Sequence, residues 1–237
     1  LIKIRCGWEM QNTQNNIFIL YVGFCNFVVE KHRLMEYYTH RLSNGIRVIH
    51  APVDSEVAHC GLIINAGSRD EQPREQGIAH FVEHLIFKGT RKRKAYHILS
   101  RMDDVGGDIN AYTSKEETCI HTSFLNKDYE RSLELLSDIT FNSTFPGKEI
   151  VREKGVIIDE INSYKDNPGE AIYDDFEELA FENQPLGRNI LGTPESLHHF
   201  GKDDIEQFVR RNYLPTEMVV TSIGKIPFDR LLTLTEK

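Results

Sequence analysis

Three residues in the stretch GIAHFVEHLIFKGT (77–90) carry side chains able to do chemistry together: His80, Glu83 and His84. On an α-helix, positions four apart sit one turn above each other, so the two imidazoles share a face. Two ring nitrogens at that spacing can both reach one metal ion at about 2.0–2.1 Å. Glu83 borders the same face, where a carboxylate can take a proton from a metal-activated water without being a ligand. Ile78, Phe81, Val82, Leu85, Ile86 and Phe87 surround this polar patch and would bury the helix and dry the site. Two histidines and a glutamate on a helix are also compatible with satisfied rings and a solvated carboxylate. A metal centre needs a third protein ligand, so the rest of the chain must supply one.

That ligand must come from an ordered element facing the histidine helix. The segment KEIVREKGVIIDEINSY (148–164) is the best source. Glu153 and Glu160 are seven residues apart, two helical turns, and Glu149 falls on the same face. Ile150, Val156, Ile157, Ile158 and Ile161 make the segment strongly apolar. Carboxylates amid that much aliphatic surface are costly to bury unless they are paired or bind a metal. Spacing alone does not choose among Glu149, Glu153 and Glu160.

Stepping outward, the elements that must hold these residues alternate in type. Residues 37–52 read as a β-hairpin turning at Ser43-Asn44-Gly45, and 57–66 as a longer strand. After the histidine helix comes a basic run, 91–94, expected to be a solvated linker. Residues 95–105 then form an amphipathic helix with Ile98, Leu99, Met102 and Val105 on one face. A strand pair follows, 110–113 and 118–124, and a helix over 128–141. Residues 148–182 are helical with a break at Asn167-Pro168-Gly169. A loop over 184–193 leads to two short helices, 195–200 and 203–212, and a strand at 217–223. The last helix starts at Pro227 and meets the chain end without a cap, so its apolar face, with Leu231, Leu232 and Leu234, is expected to be poorly covered. Mixed elements with hairpin-type connections indicate an α+β fold, helices packed on a largely antiparallel sheet.

Composition sets limits on function. Hydrophobic residues are 40% and charged residues 27% of the 237, as in a globular protein. A net charge of −8 argues against nonspecific nucleic-acid binding and leaves peptide substrates, with a mild preference for basic ones. Cys6, Cys25, Cys60 and Cys119 are widely spaced with no C-x-x-C pair, which points to unpaired thiols and away from cysteine-ligated zinc. The apolar run IFILYVGFCNFVV (17–29) is too short for a comfortable bilayer span, and no A-x-A cleavage site follows it. Residues 1–34 are therefore expected to be a leader or translated upstream sequence, with the domain proper over 35–237. The expected location is the cytoplasm, with export left open by the apolar run.

Together these motifs resemble a known family. H-x-x-E-H, here His80, Glu83 and His84, reverses the commoner H-E-x-x-H and is the inverzincin pattern. GGDINAYTS, EKGVIIDEINSYKDNP, QPLGRNILGTPES and FVRRNYLPTEMVV follow in family order. From about Met35 to the end, the chain resembles the pitrilysin, insulysin and mitochondrial processing peptidase family of zinc metallopeptidases.

The resemblance implies the N-terminal, zinc-binding domain of an endopeptidase with one Zn²⁺ per chain. In that family the third ligand is a Glu about 76 residues beyond the second His, which falls on Glu160, and a supporting Glu seven residues earlier falls on Glu153. It also implies that Asn110 and Ala111 lie on an exposed sheet edge where a peptide substrate adds as an extra strand. Two neutral imidazoles and one carboxylate would leave a zinc site near +1. Family members close a chamber with a second domain or subunit, which brings an Arg and a Tyr to the substrate. The chain is accordingly expected to stop before that second domain and to be weakly active or inactive alone. The rival reading is a noncatalytic interaction or core-type subunit of the same fold; such subunits usually lose residues of the zinc motif, whereas all are present here.

Overall fold

The computed structural model describes residues 36–237, which form one compact unit beginning at Glu36. The reading of residues 1–34 as a leader lies outside the described residues, as do Cys6 and Cys25. Six strands make one sheet: β1 (Tyr38–Arg41), β2 (Arg47–Pro52), β3 (Val57–Ile64), β4 (Asp108–Thr113), β5 (Thr118–Leu125) and β6 (Met218–Gly224). Their spatial order is β1-β2-β6-β3-β5-β4. Every neighbouring pair is antiparallel except β2–β6, which runs parallel with Arg47 opposite Val219 and Pro52 opposite Gly224. Hairpin connections therefore do not account for the whole sheet: the last strand returns to the middle of it, between β2 and β3.

The side-chain alternation of the strands builds the core. In β3, Ala58, Cys60, Leu62 and Ile64 are buried on the face shared with Ile120 and Phe124 of β5. Eight α-helices are present among the described residues: α1 (Ile78–Ile86), α2 (Ala95–Asp103), α3 (Tyr129–Phe141), α4 (Gly147–Lys165), α5 (Pro168–Ala180), α6 (Pro194–His199), α7 (Lys202–Asn212) and α8 (Phe228–Thr235). Phe81 and Leu85 of α1, Ile98 of α2, Leu135 and Ile139 of α3, Ile157 of α4 and Phe208 of α7 join those strand residues in one cluster. Burying side chains of this size supplies roughly 1.5–3 kcal/mol each, which is what fixes α1 and α4 side by side. None of these helices is long and apolar enough to cross a membrane. Cys60 and Cys119 are buried and unpaired.

Three local expectations are corrected. First, 91–94 is not simply a solvated linker. Arg93 reaches inward to the Asp138 carboxylate at 2.5 Å and to Glu134 at 2.7 Å, and its side chain is only 15% exposed. Asp138 is 1% exposed and also accepts from the Thr90 hydroxyl. A charge this deeply buried needs a partner, and α3 supplies one that no local pattern reveals. Arg93→Ala is expected to destabilise the fold by about 3–5 kcal/mol, because it leaves Asp138 buried without a cation. Urea denaturation measures this; a loss under about 1 kcal/mol would mean that water reaches Asp138.

Second, Leu99 does not join the inward face of α2. Ile98 and Met102, one turn apart, are fully buried, while Leu99 is 48% exposed. At 100° per residue Leu99 points away from the line those two define. Third, the apolar face of α8 is covered. Leu231 and Leu234 are buried and Leu232 is partly buried against the core, because α8 packs on α3 and β2.

Candidate metal centre

The site is built around the start of α1. Gly77 precedes it with φ +89°, a left-handed conformation that side chains rarely tolerate. A Cβ at Gly77 would sit 2.5 Å from the Leu191 carbonyl oxygen, so the glycine also permits close backbone contact with the 184–193 loop. The first N–H groups of a helix need acceptors. Here the Glu71 carboxylate takes them, from Gly77 at 3.0 Å and Ala79 at 2.9 Å. Arg188 donates to the Glu71 carbonyl at 2.8 Å, and the Ser196 hydroxyl to the Gln76 carbonyl at 2.7 Å. The stretch QPLGRNILGTPES thus has a mechanical role: it clamps the base of the histidine helix.

On the held helix, the His80 and His84 rings lie 4.6 Å apart at 66°. α4 packs against α1 and brings Glu160 beside both rings. Its Oε2 is 3.9 Å from His80 Nε2 and 3.7 Å from His84 Nε2. Among the described residues, His80, His84 and Glu160 are the one group of three or more such donors close enough to hold a metal ion, all within 4.8 Å of one another. Donors bound to one zinc at about 2 Å stand ~3.3 Å apart, slightly closer than these.

The chemistry of the donors suits a cation. His80 is 8% exposed, and burial, with a contribution from His84, lowers its pKa to about 3, so the ring is neutral. Its Nδ1 is buried with no hydrogen-bond partner. A neutral imidazole facing a carboxylate that it does not protonate is a donor pair left for a metal.

Glu153 lies one layer behind. It is 2% exposed; its Oε2 is 3.2 Å from His84 Nδ1 and its Oε1 is 2.9 Å from Lys88 Nζ. Glu149, which shares the helical face, has no such contact with the histidines. Glu83, next to His84 on α1, is partly buried. Burial raises its pKa, opposed by its neighbours Thr113 and His84. Tyr213, 8% exposed, is near enough that burial and then the Glu83 charge both push its phenol up.

Asn110 and Ala111 are on β4, which is an edge strand with β5 on one side only. Asn110 is exposed, and its Oδ1 accepts from the Ala111 N–H at 2.9 Å. Thr113, at the end of β4, lines a cleft of about 330 Å³ together with His80, Glu160, Tyr173 and Asp174. A hollow of similar size near the start of α3 is lined by Lys127, Lys225 and Arg230 and holds none of the three donors. Glu71, Lys88, Thr113 and Tyr213 are the site's neighbours that sequence reasoning missed. Only Glu71 left a local trace, an acid just ahead of a helix start.

Comparison with known proteins identifies a family. The model of the insulinase family, peptidase family M16, matches residues 47–194. The chain is 39% identical over 197 residues to the mitochondrial-processing peptidase subunit beta of Bos taurus, covering 82% of this chain and 40% of that protein. It is 38% identical over 185 residues to an uncharacterized zinc protease of Bacillus subtilis, covering 77% of this chain and 45% of that one. Its fold is similar to the crystal structure of a protease from Helicobacter pylori, with a TM-score of 0.82 and 27% identity, over 86% of this chain and 49% of that one. The chain thus spans less than half the length of these curated relatives.

Proposed function

Because the chain belongs to the insulinase family of peptidases, we propose that it is the zinc-binding part of a metalloendopeptidase that hydrolyses peptide bonds with water. The observation that carries this reading is the convergence of His80 Nε2, His84 Nε2 and Glu160 Oε2 beside Glu83. Those three side chains would hold one Zn²⁺. Zinc bound there supplies Lewis acidity, polarising a carbonyl and lowering the pKa of water towards about 7.

The remaining work falls to the protein's own groups. Glu83 is the proton acceptor for the attacking water and the donor to the leaving amine. Its partial burial favours the protonated form and so makes it a stronger base. Glu153 orients His84 through Nδ1, which keeps Nε2 directed at Glu160. A peptide adds to the free edge of β4 as an extra strand, taking main-chain hydrogen bonds near Asn110 and Ala111. The Ala111 N–H that Asn110 now satisfies is one that a peptide carbonyl would take over.

The partner implied is a second family-type domain or subunit that closes a chamber over the site and brings an Arg and a Tyr to the substrate. Support comes from the relatives, which are more than twice the length that this chain covers. Loss of one oxyanion donor lowers rates by about 10²–10³, and loss of enclosure adds to that. Residues 1–237 alone are expected to bind zinc yet cleave peptides at least ~100-fold more slowly than the chain joined to such a domain, in cis or as a partner. Peptide-cleavage rates for the two preparations test this, and equal rates would remove the need for a second half.

A further inference from the structure

Glu153 is a carboxylate at 2% exposure with two unlike neighbours, His84 on α1 and Lys88 just past the end of that helix. Lys88 lies in the bend just past the end of α1, its N–H bonded to the Leu85 carbonyl at 3.0 Å, and its side chain reaches the same carboxylate that His84 faces. Glu153, inserted from α4, fits between them. One oxygen faces His84 Nδ1 at 3.2 Å and the other faces Lys88 Nζ at 2.9 Å. A carboxylate this buried is unfavourable without a partner that compensates its charge. Lys88 is the one cation paired with Glu153 among the described residues. Its side chain is 28% exposed, so the ammonium is partly solvated while its contact is not.

From this arrangement we propose that Lys88 is a positioning residue for the metal centre. Its ammonium fixes the position and rotation of Glu153, so that Oε2 is committed to His84 Nδ1 and the lone pair on His84 Nε2 is directed towards Glu160. The proposal rests on the zinc reading above. Lys88 makes no hydrogen bond or ion pair with the three donors and does not line the cleft, so its polar contact with the site is Glu153. Without the ammonium, the carboxylate has only the His84 ring to hold it and either rotates towards solvent or draws in water. Both responses release His84 from a single orientation.

The test is zinc affinity, measured by competition with a chelator on folded protein, for wild type, Lys88→Met, Glu153→Gln, the double variant and Lys88→Arg. Loss of a group that orients a ligand typically weakens metal binding by about 10–100-fold, and Lys88→Met is expected to fall in that range. Lys88→Arg, which keeps the cation, should recover most of it. In the Glu153→Gln background, Lys88→Met should add less than about 2-fold, because the two residues act as one unit. If Lys88→Met does not fold, Lys88→Gln carries the same comparison. A folded Lys88 variant with wild-type zinc affinity overturns the proposal, as does an equal loss with and without Glu153, and a fall in melting temperature alone would make Lys88 merely structural. If wild type itself binds no zinc, the metal reading fails first and this proposal with it.

Discussion

Glu83→Gln is expected to retain zinc and lose hydrolysis, by about 10²–10⁴-fold in kcat on the assembled enzyme. The amide matches the carboxylate in shape but cannot accept the proton of the attacking water. Glu83 lies beside His84 without belonging to the donor group of His80, His84 and Glu160, so metal content should not change. Stability should not fall either. Burial already disfavours the charged carboxylate at this position, and a neutral amide removes that penalty. Metal analysis, thermal melting and peptide hydrolysis on the same sample separate the three effects. Cleavage at the wild-type rate would take Glu83 out of the reaction, and loss of zinc would make it a ligand instead.

Removing a donor is expected to have the larger consequence for the metal. His84→Ala and Glu160→Gln each leave two protein ligands of three, and both should weaken zinc beyond the roughly 10–100-fold typical of losing an orienting partner. Glu160 and His80 make an informative pair because their side chains differ in burial. Glu160 is 35% exposed, so Glu160→Gln should leave the melting temperature of the metal-free protein unchanged. His80 is 8% exposed and packed in the core, so His80→Ala should lower it as well as lose zinc. Zinc content undiminished in Glu160→Gln would move the third-ligand role to Glu153 or elsewhere.

How far the site could be read from sequence depended on the range of each interaction. The spacing of His80, Glu83 and His84 is local, and a helix converts it directly into one polar face. The third ligand is not local. Glu149, Glu153 and Glu160 share a helical face, and only the resemblance to a family distinguished them. The structure shows the physical difference that spacing hides: Glu153 is driven under His84 and Lys88, while Glu160 reaches both rings from the side. The clamp on α1 was invisible for the same reason, since Arg188 lies 117 residues from Glu71, whose carbonyl it holds. So was Arg93, whose charges suggested solvent until α3 placed Asp138 beneath it. Alternation along β3 and β5 gave strands and their inward faces, whereas the parallel pairing of β2 with β6 joins segments about 170 residues apart and has no local signal. In α2, amphipathicity was right about the helix and wrong about Leu99, because an apolar residue at the margin of a stripe goes where packing leaves room.

The most direct test of the account is a zinc-edge anomalous diffraction map of the protein crystallised with one equivalent of zinc. The expected result is a single peak per chain bonded to His80 Nε2, His84 Nε2 and one Glu160 oxygen, with Glu153 against His84 Nδ1 and outside bonding distance of the metal. A peak elsewhere, no peak at this position, or zinc held by the histidines with Glu160 turned away would contradict it.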